Sequence, residues 1–254
     1  MGLSLGLLVM LTLVFLFQLV TSAAGTLPIS ATLTVQALLV FMAFVFGAAW
    51  PVVRRRAPMS ETLGLTRVNP LFFVFASVGV LFAGALCDEV AALLHQWKPD
   101  FFTVGAMGEI SDTIAHAGPL GFVVLTSALS LLPALGEEVM FRGLVLRSFR
   151  RDMPAYFAVI YSSILFGLVH FSWLQGVAAG LLGCYLGTIV ILSGSIYPAI
   201  IAHFVNNLSW CLLSRYEPGF MDDVLTDGHS LTTMAISLLV VSVSIGAMWR
   251  LRGR

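Results

Sequence analysis

Charged residues are scarce in this chain of 254 residues, where they make up 10% of the total. A soluble domain carries about 25% charged residues, so the low charge excludes an ordinary soluble protein. Apolar residues account for 59% of the chain, and the mean hydropathy is +0.97. These values predict an all-α membrane protein with several spans, because a helix satisfies its own backbone hydrogen bonds in lipid.

Cysteine is also rare, and neither sign of charge is in excess. The three cysteines, Cys87, Cys184 and Cys211, lie far apart without a C-x-x-C pair, which argues against a disulfide framework. The formal net charge is zero. Because a basic tract is also missing, the sequence predicts no nucleic-acid partner.

Apolar segments of about 20 residues predict a bundle of about eight spans. They cover residues 3–23, 29–53, 70–94, 119–146, 154–173, 174–192, 196–213 and 231–249. We interpret the first as a retained span, since it has no basic region before it. The segment between spans two and three has mixed charges and an apolar Leu63-Gly64-Leu65 centre, which indicates a turn lying on the membrane surface.

Arginine clusters follow spans two and eight and lie at the end of span four. Their members are Arg54, Arg55, Arg56 and Arg67, then Arg142, Arg147, Arg150 and Arg151, then Arg250, Arg252 and Arg254. With eight spans all three clusters fall on one side, and the positive-inside rule makes that side cytoplasmic. Both termini are then predicted to be cytoplasmic.

Two adjacent glutamates, Glu137 and Glu138, lie within the apolar fourth span. An ionised group at bilayer depth costs about 3 kcal/mol on insertion scales, so such residues usually have a function. Glu138 and Arg142 are four residues apart and share a helix face, where they can form an ion pair. Glu137 has no such partner, and apolar surroundings beside a like charge favour its use as a general base.

Three further polar residues lie on later apolar segments. His170 ends the stretch Phe166-Gly-Leu-Val-His170 on the fifth. His203 and Asn207 share one face of the seventh, and Asn206 is an alternative to Asn207. Beside Glu137, His170 would help to activate a water molecule. Two neutral donors would stabilise the oxyanion of a peptide carbonyl under attack. Simple counting places Glu137 and His170 at different depths, so a shared water requires tilted helices or shifted span boundaries.

Other interpretations stay open at this point. Glu137, His170 and His203 would suit zinc, although the sequence has no H-E-x-x-H pair that would require it. A proton-coupled transporter or a non-catalytic immunity or assembly factor would also contain buried polar residues. We expect Asp88 and Glu89, near the outer end of span three, to face the membrane interface.

Three motifs give the chain a family resemblance. The segments Glu137-Glu138-Val-Met-Phe-Arg142, Phe166-Gly-Leu-Val-His170 and His203-Phe-Val-Asn-Asn207 resemble those of the CPBP intramembrane proteases. This family includes CAAX prenyl proteases of the Rce1 type and the bacterial Abi group. The match spans roughly residues 136–207. The first half of the chain resembles the family only in hydropathy and in the Leu-Gly-Leu stretch.

The resemblance implies metal-independent proteolysis of the glutamate type, without a cofactor, in a polar cavity of an eight-helix bundle. Glu137 and His170 would activate the water, His203 and Asn207 would form the oxyanion site, and Glu138 and Arg142 would support Glu137. Residues 1–254 would form one protease domain with a motif-bearing core at about 119–213. The implied partners are the lipid bilayer and a membrane-anchored protein or peptide, such as a CAAX-like or C-terminal tail. The implied location is a bacterial inner membrane.

Overall fold

The computed structural model describes residues 28–103, 105–226 and 230–252. These ranges contain helices and no strand, so the prediction of an all-α fold is confirmed. In chain order the helices are α1 (Ile29–Arg54), α2 (Met59–Leu63), α3 (Leu71–Trp97), α4 (Ala106–Ala115), α5 (Pro119–Asp152), α6 (Ala155–Leu168), α7 (Trp173–Ser193), α8 (Tyr197–Tyr216), α9 (Phe220–Thr226) and α10 (Leu231–Leu251).

Helix α3 forms the centre of the bundle and packs against α7, α8 and α10. Its buried face is made mostly of small residues such as Ala76, Gly79 and Ala83. Small side chains let helices approach closely, which is the main source of packing stability in a membrane. Helix α1 packs on α5 at the other side. Glu137 and Glu138 of α5 therefore lie between α1 and the group formed by α3, α7, α8 and α10.

Helix α5 alternates between α-helical and π-helical turns. The π-helical stretches Ser127–Leu131 and Glu138–Leu146 flank the α-helical turn Leu132–Glu137. Pro133, the second residue of that turn, has no N–H to donate to the carbonyl of Leu129 and would clash with it in a regular α-helix. A wider turn relieves that clash. One π-helical stretch thus begins immediately after Glu137, and the other ends at Leu131, before the α-helical turn that contains Glu137.

The glycines of α7, among them Gly176 and Gly183, pack closely against neighbouring helices. A Cβ atom at Gly167 would collide with the carbonyl oxygen of Gly176, so α6 and α7 are in backbone contact there. A side chain at Gly183 would press on Ser163 and on the guanidinium of Arg142. Gly183 therefore makes room for the buried side chain of Arg142.

The prediction of about eight spans is not confirmed. Five helices within the described ranges are long and apolar enough to cross a membrane: α1, α3, α5, α7 and α10. The predicted first span, residues 3–23, lies outside the described residues. Helix α6 has only 14 residues, or about 21 Å at 1.5 Å per residue, because it ends at Leu168 and not near residue 173. Helix α8 has 20 residues but is not among the five.

The apolar centre of the segment after α1 is buried, while most of the residues before it are exposed. Leu63, at the end of α2, is buried against α5, and the carbonyl of Gly64 accepts a hydrogen bond from Ile196 N at 3.0 Å. Nη2 of Arg147 donates to the carbonyl of Gly194 at 2.6 Å on the same side. Since these contacts join the Leu-Gly-Leu stretch to α5 and to Ile196 at the start of α8, the stretch covers this end of the bundle. We call this end of the bundle, where Leu63, Gly64, Arg147 and Gly194 lie, the arginine end.

Candidate active site

A cavity of about 430 Å³ lies between α1, α3, α5, α7 and α8. From α1, α3 and α7 it is lined by residues in the half of each helix farther from the arginine end, including Leu33, Ala91 and Leu174. Met107 and Ile110 of α4 line it on that same side. Most of the lining is apolar, with a few polar groups among it, which is typical of a binding site.

Glu138 and Arg142 form a buried ion pair beside this cavity. Oε1 of Glu138 accepts a hydrogen bond from Nη1 of Arg142 at 2.8 Å, and the two side chains are 0% and 1% exposed. Nη2 of Arg142 donates to the carbonyl of Gly183 at 3.2 Å, and the guanidinium lies 4.4 Å from the ring centre of Phe166. These contacts hold the predicted pair rigidly, and neither partner lines the cavity.

His203 lies between the two glutamates. Its Nδ1 donates to Oε1 of Glu138 at 2.9 Å, and its Nε2 is 3.8 Å from Oε2 of Glu137. Since a carboxylate oxygen accepts hydrogen bonds, the proton of a neutral His203 ring sits on Nδ1. His203 and Glu137 both line the cavity. The 3.8 Å separation is too long for a direct hydrogen bond.

His170 lies two residues beyond the end of α6, and it also lines the cavity. Its Nδ1 is 2.9 Å from the carbonyl oxygen of Phe166. A carbonyl oxygen only accepts hydrogen bonds, so Nδ1 carries the proton and Nε2 of the neutral ring has the free lone pair. The ring is thus held in the form that accepts a proton through Nε2.

Asn206 and Asn207 add amide groups to the same wall. Nδ2 of Asn207 donates to the carbonyl of Leu129 at 3.4 Å, and Nδ2 of Asn206 donates to Oδ1 of Asn207 at 3.3 Å. The Leu129 carbonyl is the one that Pro133 leaves without its usual α-helical donor. One hydrogen of each amide is used in these bonds, and the other remains for a ligand.

The structure brings four predicted site residues to one cavity, namely Glu137, His170, His203 and Asn207. Glu137 and His170, which were expected at different depths, both line this cavity. Asp88 was wrongly expected to face the membrane interface, since it lines this cavity as well. The sequence signal for a functional position at Asp88 was an acidic residue within an apolar span.

The three residues proposed as zinc ligands do not form a metal site in the structure. Within the described ranges, no group of three or more His, Cys, Asp or Glu side chains has the arrangement of a metal site. Glu138 contacts Nδ1 of His203. The histidines are held by a carboxylate and a backbone carbonyl, which fix ring orientation in the way that such second partners usually do.

Residues 119–209 match the family model described as Type II CAAX prenyl endopeptidase Rce1-like. This segment is Rce1-like. The match contains all three motifs and therefore confirms the resemblance to the CPBP proteases. No curated protein matches the chain, and no solved structure does. Together with its apolar helices, the Rce1-like match makes this an integral membrane protein.

Proposed function

We propose that the protein is an intramembrane endopeptidase of the glutamate type that hydrolyses a peptide bond in a membrane-anchored protein or peptide. The observation that supports this best is the position of Glu137, with Nε2 of His203 at 3.8 Å, on a cavity that His170 and Asn207 also line. A carboxylate, two imidazoles and amide donors on one cavity are the groups that hydrolysis by an activated water requires.

In the proposed reaction Glu137 and His170 activate one water molecule. The water oxygen bonds to the carbonyl carbon of the substrate, and its proton passes to the carboxylate of Glu137. The carbonyl oxygen becomes an oxyanion in a tetrahedral intermediate. When the C–N bond breaks, Glu137 returns the proton to the leaving nitrogen, so the step needs no metal and no cofactor.

His203 and Asn207 stabilise the oxyanion in this proposal. With Nδ1 already bonded to Glu138, His203 donates through Nε2 only when its ring is protonated, and Glu138 stabilises that cation. Asn207 has one amide hydrogen left after its bond to Leu129. Glu138 and Arg142 therefore act through His203, and we assign them a positioning role.

We further propose a single protease domain that includes residues 1–254, with the motif-bearing core at about 119–213. If the arginine end is cytoplasmic, as in a bacterial inner membrane with both termini inside, the cavity lies in the outer half of the bilayer. Its partners would be the bilayer and a membrane-anchored substrate such as a CAAX-like or C-terminal tail. The scissile bond would then be presented from the outer side.

The test uses the purified protein in lipid vesicles with a set of membrane-anchored peptides, and cleavage is followed by mass spectrometry. Glu137→Gln and His170→Ala should each lower the rate by at least about 100-fold, as loss of a general base does. His116→Ala is the matched control, because Nδ1 of His116 also bonds a carbonyl four residues earlier, at 2.8 Å, but lies outside the cavity. This variant should cleave normally.

Cleavage that survives in both cavity variants would contradict the proposal. Biological activity without any cleavage, retained in a folded Glu137→Ala variant, would favour the non-catalytic membrane factor. Proton or solute flux into the vesicles, abolished by Glu137→Gln, would favour the transporter. Each outcome therefore selects one of the functions that the sequence left open.

A further inference from the structure

Within the described residues, a second carboxylate of the cavity has no hydrogen-bond or ion-pair partner. Asp88 of α3 is half-buried and lines the cavity, and no hydrogen bond or ion pair joins it to any other residue in the described ranges. Its neighbour Glu89 differs, since Oε2 of Glu89 accepts a hydrogen bond from Ser230 N at 2.6 Å and the residue is not part of the lining. Of these two adjacent acids, only Asp88 is therefore available to bind a ligand in the cavity.

Among the residues that the structure describes, no lysine or arginine lines the cavity to balance this charge. Its lining contains the carboxylates of Asp88 and Glu137, the two histidines of the site and four side-chain amides, but neither lysine nor arginine. Arg142, the nearest arginine of the site, is already paired with Glu138. An unpaired carboxylate in mainly apolar surroundings is costly, and a cationic ligand removes that cost.

The position of Asp88 places it close to the residues of the proposed reaction. Gly84 lies one helical turn before it on the same face of α3, and Oδ1 of Asn206 packs where a side chain at Gly84 would be. One turn of four residues is about 6 Å along the axis. Asp88 therefore lies about 6 Å along α3 from Gly84, against which Asn206 of α8 packs, on the side away from the arginine end.

We infer that Asp88 is a specificity subsite that binds a cationic side chain, the ammonium of lysine or the guanidinium of arginine, in the substrate peptide near its scissile bond. This inference rests on the proposed function for the identity of the ligand as a peptide. The subsite itself follows from the unpaired carboxylate and the absence of any cation among the lining residues. Charge pairing of this kind mainly provides discrimination between ligands.

The test measures binding separately from cleavage. The Glu137→Gln variant in lipid nanodiscs is titrated with two membrane-anchored peptides that differ only in one residue, lysine or norleucine, at successive positions. We expect the lysine peptide to bind about tenfold more tightly at one position. Adding Asp88→Asn should abolish this difference, with Asp88→Ser as a second variant, whereas the matched control Glu89→Gln should retain it.

Equal affinity for the two peptides at all positions, or a lysine preference that persists in folded Asp88→Asn and Asp88→Ser variants, would overturn the inference. Cleavage of the same peptides by the unmodified protein is recorded in parallel. Cleavage without lysine preference contradicts the subsite alone, and a lysine preference in binding without any cleavage contradicts the proposed protease. The two failures are therefore distinguishable.

Discussion

Nδ1 of His203 and Nη1 of Arg142 both contact the same oxygen, Oε1 of Glu138, at 2.9 and 2.8 Å. One buried carboxylate oxygen thus links the arginine to the imidazole nearest Glu137. The link fixes the ring orientation and supplies the negative charge that a protonated His203 needs. The second glutamate of the motif therefore acts on the site through His203, although it does not line the cavity.

Glu138→Gln should keep this geometry while removing the charge, because the amide oxygen still accepts from both partners. We expect the cleavage rate to fall by about 100-fold, as when one group that stabilises the transition state is lost. The measurement is single-turnover cleavage in vesicles, with circular dichroism to verify the fold. A rate within twofold of the unmodified protein would show that the charge of Glu138 has no part in the reaction.

Arg142→Met should leave Glu138 buried without a counter-ion. Breaking a buried pair in this way costs about 3–5 kcal/mol, so we expect a clear drop in the thermal midpoint in detergent, followed by tryptophan fluorescence. Adding Glu138→Gln to this variant should recover part of the loss. The exposed Arg56 gives the matched control, and Arg56→Met should leave the midpoint unchanged.

Gly167→Ala should destabilise the contact between α6 and α7. The added methyl group would collide with the carbonyl of Gly176, and overpacking of this kind costs about 1–3 kcal/mol. Gly246→Ala is the control, since a Cβ at that helical position meets nothing within 4 Å. We expect a lower thermal midpoint for the first variant only. Similar midpoints would contradict the close backbone contact.

Metal chelators should leave cleavage unchanged. In the proposed reaction Glu137 takes the proton of the water directly, so removal of a metal has no effect on the rate. The measurement is cleavage before and after incubation with EDTA or 1,10-phenanthroline, with a known zinc protease as the control. Loss of cleavage that added zinc restores would contradict the glutamate mechanism.

Composition predicted the all-α membrane fold, and the three motifs predicted which residues meet at the cavity. The sequence did not predict that His203 lies between Glu137 and Glu138, because contacts between distant helices depend on packing. The early end of α6 was also missed, since Val169, His170 and Phe171 continue the apolar run although Phe171 has a φ of +52°. Asp88 was misplaced because the sequence does not reveal which face of α3 meets the cavity.

The short α6 helix has a consequence for the lipid around it. Its length of about 21 Å is roughly 9 Å less than the hydrocarbon thickness of a bilayer, and aromatic residues, Tyr156 at one end and Phe171 and Trp173 at the other, are exposed there. Such residues settle at headgroup level, so we expect a dimple in the bilayer beside this helix. Because His170 follows the end of α6, we expect such thinning to shorten the route by which solvent reaches it.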